Sequence, residues 1–151
     1  ASLISTCCEA GAISVEANEH RNRMKEFGEM VGMAFQIKDD IFDYGSPGNI
    51  GKPTGIDIRE QKMTLPLIYT LNHSDKASRA ELMNIIKNKH EDSKQIARAV
   101  ELVIQNGGID YAFQKMNDFA TKAIDLLEPL PESQAKKSLI GLVHYTINRD
   151  K

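Results

Sequence analysis

Three aspartates inside one short apolar segment are the residues of this chain best suited to chemistry. If the segment is helical, Asp39, Asp40 and Asp43 share an arc roughly 100° wide with Gln36. The β-carbons of Asp39 and Asp43, four positions apart, then lie about 5–6 Å from each other. At an effective dielectric constant near 20, their charges repel by about 3 kcal/mol. We therefore expect a cation to bind at this cluster.

The ligand chemistry indicates which cation this is. Carboxylate oxygens with no histidine or cysteine beside them favour Mg²⁺ or a similar hard ion. Water alone is a poor remedy for the repulsion, because apolar side chains crowd the same segment: Phe35, Ile37, Ile41 and Phe42. The alternative interpretation is a solvated acidic face on an amphipathic helix. The four histidines of the chain show no ligand spacing, which argues against zinc.

The cluster is placed near the end of a long predicted helix. Asn18 is a plausible N-cap, and the helical spacing of apolar residues continues to about Tyr44. The helix macrodipole disfavours carboxylates near a helix C-terminus. Local stability would therefore not select this placement, which favours a functional reason for it.

Composition limits the function classes. The chain has 151 residues, with 41% hydrophobic and 26% charged, which is ordinary for one soluble domain or part of a larger one. A net charge of −2 gives no case for nucleic acid, and no segment reaches the roughly 18 apolar residues of a membrane span. Cys7 and Cys8, the only cysteines, are adjacent, which predicts a reducing, cytoplasmic setting. The missing initiator Met indicates processing or a start inside a longer protein.

A loop carrying a lysine follows the aspartates. Residues 45–57 contain four glycines and two prolines, which excludes a regular element. The segment fails as a phosphate-binding loop, because Ser46 and Pro53 occupy positions where that motif needs Gly and Ser or Thr. Lys52 can still supply a cation to a phosphate. Lys62 adds a second cation just before an apolar helix over residues 64–71.

The other segments predict a helical scaffold. Residues 3–15 indicate a core helix of small side chains. Further helices are predicted after a capping box at Ser78-x-x-Glu81, after a cap at Asp92 or Ser93 with an end at Gly107, over residues 109–127, and over residues 132–148. No alternating strand pattern occurs, so we predict an all-α fold.

Three motifs in order carry a family resemblance. FQIKDDIFDY at 35–44, GKPTGID at 51–57 and KMTLP at 62–66 resemble the trans-isoprenyl diphosphate synthases, or polyprenyl synthetases. The closing residues 138–151 are most similar to long-chain, octaprenyl-type members. The resemblance implies an all-α fold with two facing aspartate-rich motifs, of which this chain contains the second. It thus implies that residues 1–151 are a single helical domain, the C-terminal portion of a longer synthase.

The resemblance also implies a reaction and its residues. An allylic prenyl diphosphate ionises, isopentenyl diphosphate attacks the carbocation, and a proton is lost. Mg²⁺ would be held by Asp39, Asp43 and, with less direct contact, Asp40. The diphosphate oxygens would be met by Lys52 and Lys62, and Gln36 would face the reacting centre. A homodimer is implied, and a chain with only one of the two motifs is expected to be inactive alone.

Other interpretations stay open. Lys62 could be an exposed lysine at a helix start, and Gln36 a polar residue oriented by a helix neighbour. The whole chain could be a non-catalytic helical partner subunit of a prenyl synthase, although the intact aspartates argue against this. A terpene cyclase of the same fold class would carry Asn/Asp-x-x-Ser/Thr-x-x-x-Glu, which is missing at the expected helix.

Overall fold

Helices make up all the regular structure of the described residues. The computed structural model describes residues 1–45 and 54–149, and no strand occurs within them. The all-α prediction is confirmed. The helices are α1 (Ser2–Ser14), a 3₁₀ turn (Asn18–His20), α2 (Arg21–Phe42), α3 (Ile56–Arg59), α4 (Leu65–His73), α5 (Lys76–Asn88), α6 (Ser93–Gln105), α7 (Gly108–Leu127) and α8 (Gln134–Asn148). Across the described ranges, no helix is both long enough and apolar enough to span a membrane.

The described residues group into two compact units, with boundaries inside α2 and α7. The first contains residues 1–38 and the described residues from Gln114 onward, and the second runs from Asp39 to Phe113. Each has its own apolar core. The first core includes Phe27, Val31, Ala120, Ala123, Leu127 and Val143, and the second includes Ile58, Leu67, Leu82, Ile85, Ile96 and Val103. All three aspartates of the cluster fall in the second unit.

The long helix α2 starts later than its predicted cap. Asn18 opens a 3₁₀ turn and is not the N-cap of α2, which begins at Arg21. At the other end, α2 stops at Phe42, and the backbone N–H of Tyr44 donates to the carbonyl of Ile41 in a closing turn, 3.1 Å. Asp39 and Asp40 therefore lie in the last helical turn, and Asp43 lies just past it.

The capping box predicted at Ser78 is wrong. The N-cap of α5 is Asp75, whose carboxylate accepts the backbone N–H groups of Ala77 at 2.8 Å and Ser78 at 3.0 Å. Ser78 is inside the helix, and its hydroxyl donates to the same carboxylate. The helix therefore starts three positions earlier than the predicted cap, because the carboxylate of Asp75 accepts the amides of its first turn. The cap predicted at Asp92 is confirmed, since its carboxylate caps α6.

Helix α1 is close-packed on one side only. The predicted core helix has just two buried residues, Ser5 and Ala12, while Leu3 is 75% exposed. On its packed side, α1 lies against α2 at Gly28. A β-carbon added there would lie 2.7 Å from the carbonyl oxygen of Ile4 and the Cα of Ser5. Glycine is thus required for the helices to approach this closely, although most of α1 faces outward.

Two glycine substitutions should have opposite effects on stability. Gly28→Ala should lower the free energy of unfolding by about 1–3 kcal/mol, because its methyl group meets the backbone of α1. Gly11→Ala should raise it by about 0.5–1 kcal/mol, since nothing lies within 4 Å of the added β-carbon and alanine favours a helix. Urea unfolding of the purified protein measures both. Equal effects of the two substitutions would contradict the packing of α1 on α2.

Candidate functional site

The carboxylate of Asp43 holds the segment that follows the loop. Its Oδ1 accepts the backbone N–H of Ile56 at 2.8 Å, and its Oδ2 accepts that of Asp57 at 2.9 Å. The N–H of Gly55 donates to the main-chain carbonyl of Asp43, also at 2.8 Å. The N-cap position of α3 is Gly55, which has no side chain to cap with. Asp43 therefore supplies the cap from a distance along the chain.

A second pair of contacts ties the end of α2 to the start of α4. Oδ2 of Asp40 accepts the backbone N–H of Leu65 at 3.4 Å. The hydroxyl groups of Tyr44 and Thr64 form a buried hydrogen bond of 2.7 Å, and Thr64 is the N-cap residue of α4. Burial raises the pKa of the Tyr44 phenol well above its usual range, so it stays protonated and can donate this bond. The aspartate segment is thereby joined to two helices that follow it.

Lys62 lies beside a fourth aspartate. Its Nζ donates to Oδ1 of Asp57 at 3.2 Å and also contacts the carboxylate of Glu60. Its backbone N–H donates to the carbonyl of Asp57 at 2.8 Å. The hydrogen bonds to Glu60 and Asp57 raise the pKa of Lys62, so its ammonium group is charged at neutral pH. The side chain remains 59% exposed, which leaves the charge accessible to an anionic ligand.

The aspartates influence one another electrostatically. Burial raises the pKa of Asp40, and the charges of Asp57, Asp39 and Asp43 raise it further, while the N–H of Leu65 lowers it. Burial also raises the pKa of Asp43, against the lowering effect of the N–H groups it accepts. Burial and the neighbouring negative charges therefore disfavour ionisation of Asp40 and Asp43.

The described carboxylates match one of the ways in which proteins bind Mg²⁺. Among residues 1–45 and 54–149, no group of three or more His, Cys, Asp or Glu side chains is arranged to hold a metal ion. Mg²⁺ in phosphate-processing sites, however, is usually bound by one or two carboxylates, with water and substrate phosphates completing its shell. Crowded, half-buried carboxylates such as Asp39 and Asp40 fit that mode of binding. They do not form a protein-only metal cage.

The predicted site residues divide into three groups. Asp39, Asp40, Asp43 and Lys62 belong to the second unit, where Asp43 and Lys62 are joined through Asp57. Gln36 is exposed on α2 and belongs to the first unit. Lys52 lies outside the described residues.

Sequence reasoning did not include Asp57 or the Tyr44–Thr64 pair among the site residues. The available signal for Asp57 was its place in the GKPTGID segment, five positions before Lys62. A Tyr directly after the third aspartate and a Thr just before a helix starting with Leu-Pro gave no sign of their pairing, because the hydrogen bond spans twenty positions of sequence.

The raised pKa of Asp40 predicts a pH dependence of stability. Between the pKa values of the unfolded and folded states, the folded protein binds more protons, so its stability falls as the pH rises above about 4. Asp40→Asn removes this loss, because the amide stays neutral and its oxygen can still accept the N–H of Leu65. The stability of the variant relative to wild type should thus increase from about pH 4 to pH 7.

Urea unfolding from about pH 2 to pH 7, without divalent cations, measures the difference. Asp75→Asn is the control of opposite sign: hydrogen bonds from Ser78 lower the pKa of Asp75, so that variant should lose relative stability as the pH rises towards about 4 and show a constant difference above it. A stability difference for Asp40→Asn that does not change with pH would contradict the electrostatic account of the cluster.

Comparisons with known proteins agree with the geometry. The family model described as polyprenyl synthetase matches residues 1–103. The octaprenyl diphosphate synthase of Haemophilus influenzae is 31% identical over 152 aligned positions, which cover 99% of this chain and 46% of that protein. The chain thus spans about half the length of the curated relatives it matches.

Solved structures give the same result. A geranylgeranyl pyrophosphate synthase from Bacteroides thetaiotaomicron matches with a TM-score of 0.87 and 38% identity, over 97% of this chain and 49% of that one. A polyprenyl synthase from Caulobacter crescentus, solved with calcium and isoprenyl diphosphate, matches with a TM-score of 0.87 and 30% identity, over 99% and 46%. By its helical fold, its motifs and these matches, the chain belongs to the polyprenyl synthetase family.

Proposed function

We propose that this chain supplies one wall of the active site of a trans-polyprenyl diphosphate synthase. This wall comprises Asp39, Asp40, Asp43, Asp57 and Lys62. The reaction is transfer of an allylic prenyl group to isopentenyl diphosphate. The observation that carries the proposal is the association of half-buried aspartates with the Asp57–Lys62 pair within one compact unit. Family membership supports the reaction class, because the relatives it matches include diphosphate synthases.

Charge at this wall supports a metal-dependent reaction. Among the described residues, Lys62 is a cation joined to this cluster through Asp57, and it is already paired with two carboxylates. The acidic side chains of the same compact unit that surround it in sequence and contact are Asp39, Asp40, Asp43, Asp57 and Glu60. A diphosphate, itself strongly anionic, would be repelled by this surface. A divalent cation that bridges carboxylate and phosphate oxygens reverses the sign of the interaction.

The residues would divide the work as follows. Asp39 and Asp40, with Asp43 as the third predicted ligand, would offer oxygens to Mg²⁺, and the ion would neutralise charge on the leaving pyrophosphate. Lys62 would donate to the diphosphate oxygens as a point charge, which its raised pKa keeps protonated. Lys52, outside the described residues, is proposed for the same role. Gln36 is exposed on α2 and is proposed to meet the allylic end.

The cluster favours a catalytic chain over a non-catalytic partner subunit. All three aspartates of the motif are intact, and two of them are fixed by backbone N–H groups of the helices that follow. A subunit with no role in catalysis would have no need to keep raised-pKa carboxylates together. The homodimer and the cytoplasmic location remain predictions from the resemblance and the composition.

Asp39→Ala tests the proposed reaction. In the full-length protein that contains this chain, we expect turnover with an allylic diphosphate and isopentenyl diphosphate to fall at least about a hundredfold. The far-ultraviolet circular dichroism should be unchanged. Asp118→Ala, which removes an exposed aspartate paired with Lys115 on α7, is the matched control. Near-normal turnover of Asp39→Ala at saturating Mg²⁺ would exclude the metal role.

The isolated 151 residues should not elongate prenyl diphosphates. They span about half the length of the relatives, and the resemblance implies a second aspartate-rich wall that they lack. The measurement is incorporation of radiolabelled isopentenyl diphosphate by purified chain of verified mass, compared with the full-length protein. Incorporation above background by the isolated chain would contradict the proposal that it forms only one wall.

A further inference from the structure

We propose that Asp43 is a positioning residue that holds Asp57 and Lys62 beside the other aspartates. This proposal rests on the proposed function and refines it. Asp39 and Asp40 would offer oxygens to the Mg²⁺ of the proposed function, whereas Asp43, the third ligand expected from the motif, is assigned here to the support of α3. The sequence motif gives all three aspartates the same apparent role, but their contacts in the structure differ.

Three consecutive backbone N–H groups point at Asp43. Those of Ile56 and Asp57 donate to its two carboxylate oxygens at 2.8 and 2.9 Å, and that of Gly55 donates to its carbonyl. Both oxygens of the side chain are therefore engaged by short, well-formed bonds. Asp40 accepts only a longer contact of 3.4 Å from Leu65. The bonding of Asp43 is that of a helix cap.

Helix α3 needs this cap. It has four residues, Ile56–Arg59, which is too short to be stable by its own backbone hydrogen bonds. Its N-cap residue, Gly55, has a left-handed φ of +76°, and a β-carbon there would lie 2.3 Å from Cγ2 of Ile96. A capping side chain at position 55 is thus excluded by both conformation and space. The carboxylate of Asp43 takes its place.

Asp57 connects the capped start of α3 to Lys62. The same residue whose N–H binds Asp43 accepts the backbone N–H of Lys62 at 2.8 Å through its carbonyl. It also accepts the Lys62 ammonium through its side chain at 3.2 Å. A buried anchor, Ile58, fixes the other side of α3 in the apolar core. Loss of the Asp43 carboxylate would release the start of α3 and with it the position of the lysine.

Amide hydrogen exchange tests the cap in the full-length protein without divalent cations. In Asp43→Ala, exchange at Ile56 and Asp57 should accelerate roughly tenfold or more, because both amides lose their acceptor. The matched control is Asp92→Ala, which removes an aspartate that caps α6 through Lys94 and Gln95. Asp92→Ala should accelerate exchange only at Lys94 and Gln95, the two amides that Asp92 accepts. Unchanged protection at Ile56 and Asp57 in Asp43→Ala would overturn the proposal.

Kinetics of a double variant test whether the cap acts through the lysine. Lys62→Ala should lower kcat/KM at least about tenfold in the wild type, but less than about twofold in the Asp43→Ala background. Asp92→Ala should leave the Lys62→Ala effect at its full size. If the losses of kcat/KM caused by Asp43→Ala and by Lys62→Ala instead multiply in the double variant, the two residues act independently. That result would overturn the proposal.

A conservative variant separates positioning from metal binding. Asp43→Asn keeps one acceptor oxygen but loses the charge, so a cap is partly retained and a carboxylate ligand is lost. We expect it to restore exchange protection at one of the two amides and to recover a large part of the kcat/KM lost in Asp43→Ala. Activity as low as that of Asp43→Ala would assign Asp43 to the metal. If the wild-type full-length protein transferred no prenyl group, the proposed function would fail, while the exchange result would still decide the cap.

Discussion

The arrangement of residues 54–62 depends on the carboxylate of Asp43 and the N–H groups it accepts. Helix α3 is one turn long and has a glycine at its N-cap position, so it lacks local means of ordering its first turn. Two contacts replace them: the carboxylate at one end and the buried side chain of Ile58 on one face. These two contacts fix the positions of Asp57 and Lys62. A short segment is thereby ordered by a residue that precedes the loop.

The same interaction explains the unfavourable placement of carboxylates at the end of α2. The macrodipole of α2 opposes negative charge there, but Asp43 lies at the N-terminus of α3, and Asp40 contacts the first N–H of α4. The N-terminal ends of helices favour negative charge. The unfavourable interaction of these carboxylates with the macrodipole of α2 is therefore offset by their favourable positions at the N-termini of α3 and α4. Burial and mutual repulsion still dominate, since the pKa of both aspartates is raised.

The parts of the fold with local signals could be predicted from the sequence. Asp92 capped α6 as expected, and the apolar spacing located α7 and α8 to within a few residues. Predictions from the sequence failed where the residue that caps or orders a helix is not the one that the local pattern indicates. Asp75 displaced Ser78 as the cap of α5, and α3 forms from the edge of a segment whose glycines and prolines predicted only loop. The aspartate motif was visible in sequence, but the support given by Asp43 requires contacts that span thirteen positions.

The electrostatics of the cluster link its stability to its proposed ligand. Burial raises the pKa of Asp40, and the charges of Asp57, Asp39 and Asp43 raise it further, so the folded protein at neutral pH holds charges that oppose one another. A cation that binds only the folded state offsets this repulsion and stabilises the fold by mass action. Crowding of carboxylates thus lowers the stability of the metal-free protein, and under the proposed function the same interaction raises its affinity for a divalent ion. Lys62, neutralised locally by Asp57 and Glu60, cannot take the place of that ion. Under the proposed function, the binding of a diphosphate to these residues is therefore coupled to the binding of the metal.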